Sequence, residues 1–434
     1  MSHAATIRPA GLTAAQLSAI RRRAILSCAV GNFFELFDFT IYGYFAVAIA
    51  RAFYPSGSMY GTYATFGAAF LMRPVGAIVI GAYGDRMGRR AALVVTIVLM
   101  ALATGFTGLI PTYQSIGIWA PVVLVFCRLL QGFSTGGEWG GAAAFLVEYS
   151  PPNRRGLTGS WQQFSTQIGS LSGSVSALII SSSLSQADFY SWGWRIPFVC
   201  GFILGPIGYY LRKKVAETPA FARTVEARKV EHSPLRAVIR DYRGRMVQAF
   251  GVSIVGCIAN FIFVIYLTSY AINVMKLPPS TAFTCAVASG SVVVVLTPFV
   301  GALSDIIGRR PLILACALLN LVFDYPLFLL AIRGGTFASL LTALVANATF
   351  QALYTGTIPS ILAEMFPTRV RYTGLSVSYG FAVVSFGGFA PFISTLLVDW
   401  TGNPYAPAFY VMTGGALSAI AVLSMKEYRN VPLE

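Results

Sequence analysis

Apolar stretches recur along the chain from residue 24 to residue 424, separated by short polar turns. A helix needs about 20 mostly apolar residues to cross a bilayer core. On that measure the pattern predicts twelve spanning helices, over 24–50, 61–84, 91–110, 118–147, 157–183, 191–211, 246–272, 282–303, 311–332, 337–361, 372–397 and 405–424. The fifth is rich in Ser and Gln and the eleventh in Gly, so both are expected to look weak by hydropathy, as helices lining a wet cavity do. The fold class implied is an all-α membrane protein.

Composition agrees. Of 434 residues, 56% are apolar and 11% charged, against about a quarter charged in soluble domains. The net charge of +15 would suggest nucleic acid on a soluble protein, but here the basic residues cluster in turns, where they set topology. With the N-terminus placed in the cytoplasm, cytoplasmic segments hold 25 of the 31 Lys+Arg residues and outer segments four, while Arg73 and Arg128 remain within spans. Both termini are thus expected in the cytoplasm. The expected organisation is a tail (1–23), a six-helix bundle (24–211), a basic linker (212–245), a second six-helix bundle (246–424) and a tail (425–434). Arg21-Arg22-Arg23 precede an apolar stretch too long for a secretory signal. The six cysteines are scattered, and His3 and His232 lie in polar segments, so neither a metal site nor a disulfide framework is readable. No cofactor, no enzyme chemistry and no nucleic-acid partner is expected.

The two halves echo each other. Gly81-Ala-Tyr-Gly-Asp85-Arg86-Met-Gly88-Arg89-Arg90 follows the second span and Gly301-Ala-Leu-Ser-Asp305-Ile-Ile-Gly308-Arg309-Arg310 the eighth, 220 residues on. Glu148-x-x-Pro151-x-x-x-Arg155 follows the fourth span and Glu364-x-x-Pro367-x-x-x-Arg371 the tenth, 216 residues on. Two motifs at nearly one offset argue for an internal duplication. Asp85, Arg89, Asp305, Arg309, Glu148 and Glu364 are the candidate gating residues, the carboxylates pairing with basic groups or helix N-termini.

Six ionisable residues fall inside the spans: Glu35, Asp38, Arg73, Arg128, Glu138 and Asp324. Each costs about 2.5–3.5 kcal/mol on insertion scales and should face protein or water with a partner. At 1.5 Å per residue, Glu35, Arg73 and Arg128 lie roughly 16, 18 and 15 Å deep, near the middle of the core. Two carboxylates and two guanidiniums can therefore share one layer. In the functional reading Arg128 and Arg73 bind a substrate carboxylate. Asp38 or Glu35 carries the coupling proton, and its protonation frees an arginine. Arg73 can equally be structural, pairing with Glu35 or Asp38. Glu138 is a proton or gate residue near the end of its helix, and Asp324 a structural or gating residue.

Polar neighbours extend the candidate pocket: Gln131 on the fourth helix, Gln162, Gln163 and Gln167 on the fifth, Asn260 on the seventh, and Asn347, Gln351 and Tyr354 on the tenth. Interhelical hydrogen bonding is the alternative role for each.

The chain resembles the major facilitator superfamily, whose loop signature matches both repeats, and more narrowly its metabolite:proton symporters. The matching strings are Gly31-Asn-Phe-Phe-Glu35-Leu-Phe-Asp38-Phe39, Phe70-Leu-Met-Arg73-Pro74, Arg128-Leu-Leu-Gln131-Gly-Phe133-Ser, Trp192-Gly-Trp-Arg195-Ile-Pro197-Phe and Glu364-Met-Phe-Pro367. The resemblance implies two pseudo-symmetric six-helix bundles with alternating access. It also implies proton-driven uptake of a small metabolite across a bacterial inner membrane, with sodium left open as the coupling ion. Gly76-Ala-Ile-Val-Ile-Gly-Ala-Tyr and Trp161-Gln162 look like citrate and tricarballylate symporters. Glu148-Tyr-Ser-Pro151, Glu217-Thr-Pro-Ala-Phe221 and 403–410 look like proline/betaine transporters. Gln162 and Arg128, where zwitterion carriers tend to have an acid and have Lys, favour a di- or tricarboxylate. A zwitterionic osmolyte, or a transporter-like sensor without flux, is the alternative. The expected partners are a small organic anion and the bilayer, with the chain acting as a monomer.

Overall fold

A computed structural model describes the backbone of residues 14–429 apart from 56, 88, 137, 149, 214–233, 368 and 369, and side chains from residue 29 onward outside 81–93, 138, 145, 152, 204, 207, 208, 211–213, 234 and 237. The side chains of Asp85, Arg89 and Glu138 and most of the expected linker therefore lie outside the described residues.

Among the described residues the chain forms twelve long helical segments. They are α1 (Ala14–Tyr44, continued by Ala46–Phe53), α2 (Met59–Leu71, continued by Arg73–Met87), α3 (Arg89–Leu109), α4 (Trp119–Thr135, continued by Glu138–Glu148), α5 (Arg155–Ser183), α6 (Ile196–Lys213), α7 (Arg243–Asn273), α8 (Pro279–Ile307), α9 (Arg309–Gly334), α10 (Phe337–Met365), α11 (Arg371–Thr401) and α12 (Ala406–Ser424). α1 bends by 66° at its break. α7 and α11 each contain a π-helical turn, at Ile262–Tyr266 and Val383–Gly388, a local widening that often marks functional helices. Among the described residues, eight helices are long and apolar enough to cross a membrane, and bent α1 makes nine. α5 is not among them, as its Ser and Gln content predicts, but α11 is. The expectation for α11 fails because glycine lowers side-chain bulk without adding polarity, and its remaining residues are strongly apolar.

The two sets of six helices meet along two seams, α5 on α8 and α2 on α11. The duplication exchanges these pairs, since α2 corresponds to α8 and α5 to α11. Within the first set, α2 and α4 touch backbone to backbone. A Cβ built on Gly132 would lie 1.6 Å from the Ala69 carbonyl oxygen, and one on Gly136 would lie 2.1 Å from that of Arg73. Small residues give helices in lipid this close approach. Gly132→Val is accordingly expected to destabilise the protein by at least the roughly 1–3 kcal/mol of ordinary overpacking, read as a lowered melting temperature in detergent. An unchanged melting point would show that α2 and α4 separate freely.

Contacts join the two sets at both ends. At the end carrying the basic turns, Asp305 at the foot of α8 accepts hydrogen bonds from the N–H groups of Gly156 (2.8 Å) and Leu157 (2.9 Å) in the first turn of α5, where a carboxylate is favoured by the helix dipole. The Ser360 hydroxyl donates to the Arg155 carbonyl (2.8 Å). At the opposite end Tyr60 donates to Asp399, Ser269 donates to the Gly43 carbonyl (3.4 Å), and Phe283 packs on Tyr44 with ring centres 5.9 Å apart.

Candidate functional site

Between these two layers of contact lies a cavity of about 60 Å³ at the junction of the halves. Its charged wall residues are Glu35 on α1 and Arg73 on α2. Amides come from Gln163 and Gln167 on α5, Asn260 on α7 and Gln351 on α10. Phe39, Phe70, Trp139, Phe261, Tyr354 and Tyr379 supply the aromatic surface. Trp139 and Tyr379 stack across the junction with centroids 3.8 Å apart and planes 10° apart.

Arg73 reaches the cavity because α2 is interrupted at Met72, just before Pro74, and restarts at Arg73. Its Nη2 lies 2.6 Å from the Glu35 carboxylate. The guanidinium sits over the rings of Phe70 (4.6 Å) and Phe39 (5.0 Å), a cation–π arrangement. Its Nε has no hydrogen-bond partner. Arg73 is 11% exposed and Glu35 2%, so the pair is nearly dry yet open to the cavity on the arginine side.

Asp38 and Arg128 form a second, separate pair. Arg128 Nη1 donates to Asp38 Oδ2 (3.0 Å), while Gln131 Nε2 and Thr104 Oγ1 both donate to Oδ1 (2.7 Å each). Gln131 also donates to Thr104 (3.0 Å), and Arg128 stacks over Tyr42 at 4.0 Å. Arg128 is fully buried, and neither member of the pair lines the cavity. The single charged layer expected from depth is therefore two pairs at different azimuths. Arg128 and Gln131, expected as substrate ligands, are in this structure both engaged with Asp38 behind the cavity wall. Gln162 is buried off the cavity, with neither polar atom hydrogen-bonded. Asn347 also lies off it, bonded to Asn320 (3.1 Å) and Asp324 (3.3 Å). Asp324 is thus deep within α9, away from the gating residues with which it was grouped.

The candidate gating residues at the basic end whose side chains are described come together. Arg309 forks onto Glu364 through Nε and Nη2 (3.1 Å each) and also reaches Asp305 (3.0 Å). Arg371 binds Glu148 (2.7 Å), and Arg155 lies 3.8 Å from Glu364. Each glutamate of the second repeated motif thus meets the arginine of the other half's copy. Arg155 and Arg371 were legible as motif members but not as gate partners. Thr104, Asn320 and the Trp139–Tyr379 stack carried no sequence signal, since Thr, Asn and aromatics are common in such helices.

Burial separates the two glutamates. Glu364 is 2% exposed by side chain and Glu148 31%. Glu364→Ala is expected to disfavour the packed basic end by about 1–3 kcal/mol, the cost of leaving buried polar groups short of a partner, since Arg309 keeps Asp305 at 3.0 Å. Glu148→Ala is expected to shift it less, because water reaches the half-buried Glu148 position and Arg371 keeps the carbonyls of Ala363 (2.7 Å) and Phe366 (3.1 Å). The measurement is the labelling rate of a cysteine introduced at Ser160 by an impermeant maleimide. Equal rates in the two variants would show that burial does not set the strength of the gate.

The sequence model of sugar (and other) transporters matches residues 24–237, and the major facilitator superfamily model matches residues 286–433. The chain is 35% identical over 426 residues to the proline/betaine transporter of Escherichia coli (strain K12), covering 95% of this chain and 85% of that one. It is also 35% identical over 418 residues to the citrate-proton symporter of Klebsiella pneumoniae, covering 95% and 93%. Among solved structures, the proton:xylose symporter XylE bound to 6-bromo-6-deoxy-D-glucose superposes with a TM-score of 0.78 at 16% identity, over 96% of this chain and 98% of that one. A partially occluded inward-open form of XylE from E. coli gives 0.72 at 18% identity, over 94% and 98%; at such identity the likeness concerns the fold. With twelve helices in two related sets around a charged central cavity, and relatives of this similarity over almost its whole length, the chain belongs to the major facilitator superfamily of multi-pass membrane transporters.

Proposed function

We propose that this transporter couples inward proton movement to uptake of a small organic anion, a di- or tricarboxylate of the citrate type, through alternating access. The observation that carries the reading is Arg73, a cation on the cavity wall held by Glu35 at 2.6 Å. An arginine fork suits a carboxylate bidentately. A substrate carboxylate entering the cavity competes with Glu35 for Arg73, and Glu35 then avoids an uncompensated buried charge by taking a proton. The loaded site keeps the positive charge of Arg73 against the anion, and the amides of Gln163, Gln167, Gln351 and Asn260 donate to its remaining oxygens. Asp38 is a poorer proton carrier here. It already accepts from three donors, and its protonation would leave fully buried Arg128 without an acceptor, off the cavity and beyond the reach of a substrate.

The distribution of Lys and Arg supports a cytoplasmic basic end and cytoplasmic termini, in a bacterial inner membrane. One chain supplies the whole cavity, so the working unit is a monomer. One observation favours a second reading, uptake of a zwitterion such as proline or betaine. The aromatic wall of Phe39, Phe70, Trp139 and Phe261 suits a quaternary ammonium, and the proline/betaine transporter is among the relatives.

The test is uptake into sodium-free proteoliposomes with an imposed inward proton gradient. Citrate, tricarballylate, succinate and α-ketoglutarate are compared with proline and betaine. The reading expects a carboxylate to accumulate and a protonophore to abolish the accumulation. Accumulation of betaine alone would select the second reading. No flux of any solute would point to a sensor.

A further inference from the structure

The second half contains a buried carboxylate that the exchange at Arg73 does not use. Asp324 on α9 is fully buried. Its Oδ1 accepts one hydrogen bond, from Asn347 Nδ2 (3.3 Å), and its Oδ2 has no partner. Asn347 also donates to Asn320 Oδ1 (3.1 Å), and Asn320 donates to the Cys316 carbonyl (2.8 Å). No ion pair among the described residues includes Asp324.

The internal duplication gives this cluster a counterpart. The 220-residue offset of the first motif aligns Asp324 with Thr104, and the 216-residue offset of the second aligns Asn347 with Gln131. The amide-to-oxygen bridge between α3 and α4, Gln131 to Thr104 at 3.0 Å, thus recurs between α9 and α10 as Asn347 to Asp324. The counterion does not recur, because the position equivalent to Arg128 is Leu344. One half holds a carboxylate against an arginine, whereas the other holds a carboxylate among amides.

The surroundings offer no replacement charge. α12 has no charged residue over 406–424 and α7 none over 246–272. α8 and α10 bring only Asp305 and Glu364, at their basic ends, and Arg309, Arg310 and Arg333 lie near the termini of α9 itself. The titratable groups nearby are Cys316 on α9, with Cys257 on α7 and Tyr354 on α10 beyond it. A metal ion does not suit the site, since Asn347 directs N–H groups into it. The hydrogen-bonding geometry does suit a proton on Oδ2. The polar face of α10 leads from the site towards the cavity: Gln351 lines the cavity one helical turn from Asn347, and its Nε2 is buried without a partner.

We infer that Asp324 is a second protonation site of this transporter, neutral in the structure described and exchanging its proton with water of the central cavity that enters past Gln351 and Asn347. The test needs no substrate. Infrared difference spectra between acid and alkaline pH are recorded on the full chain in lipid. The wild type is expected to show a buried protonated-carboxyl band that shifts in deuterated water and disappears at alkaline pH. Asp324→Asn and Asp324→Thr, the latter restoring the residue of the first half, should both lack it, while Glu35→Gln should keep it. A band retained in both Asp324 variants would overturn the inference. So would a wild-type band that neither exchanges with deuterium nor titrates, which would make Asp324 a fixed structural acid. If neither variant folds, aspartate isotope labelling of the wild type should shift the band, and a band that it leaves unmoved would overturn the inference.

Discussion

Arg73→Ala is expected to weaken binding of the transported carboxylate by about 2–5 kcal/mol, the usual cost of removing one partner of a buried charged hydrogen bond, or roughly 30- to several thousand-fold in affinity. Equilibrium binding to purified protein reads this directly. The partner variant separates binding from coupling. Glu35→Gln leaves Arg73 without its resident carboxylate, so substrate exchange across proteoliposomes should persist while accumulation against a gradient collapses. A neutral glutamine cannot release a proton on the far side, and exchange requires no net proton movement. If Arg73→Ala bound substrate as well as the wild type, the cavity arginine would be structural. If Glu35→Gln still accumulated substrate, the proton would travel elsewhere.

Asp38→Ala is expected to be among the most destabilising single changes in the molecule. It leaves the fully buried Arg128 without a carboxylate, and Gln131 and Thr104 without their common acceptor. Orphaning a buried charge costs about 3–5 kcal/mol, a large share of a stability of about 5–15 kcal/mol. Melting followed by size-exclusion should show a steep loss for Asp38→Ala. The double variant Asp38→Asn/Arg128→Gln should recover part of it, because removing both charges removes the penalty, with a coupling of roughly 0.5–3 kcal/mol in the mutant cycle. Additive losses would mean that the two side chains do not stabilise each other. A well-folded Asp38→Asn that exchanged substrate but could not accumulate it would move the proton from Glu35 to Asp38.

Position along each helix was legible from sequence, and rotation about it was not. Counting residues from a span boundary puts Glu35, Asp38, Arg73 and Arg128 at mid-depth. It cannot show that Arg73 turns to the cavity and Arg128 away from it, because that depends on the break at Met72 and on where α1 is held by its neighbours. The same blindness affects α5, where Gln163 and Gln167 reach the cavity and adjacent Gln162 does not. Twelve helical segments were legible because a run of apolar residues between polar turns is a property of each segment alone. The crossed pairs Arg371–Glu148 and Arg155–Glu364 were half-legible: repetition marked the residues, but only the packing of one half on the other shows who meets whom.

A void of about 60 Å³ is far smaller than the roughly 300–1,000 Å³ of typical small-molecule sites. The cavity in this structure is therefore no template for the cargo. Any metabolite must wedge α2, α5, α7 and α10 apart, and part of its attraction to the walls goes into that separation. Such a protein should look like a weak receptor and a good conveyor: a cargo gripped loosely in one arrangement is also one that can leave in the next.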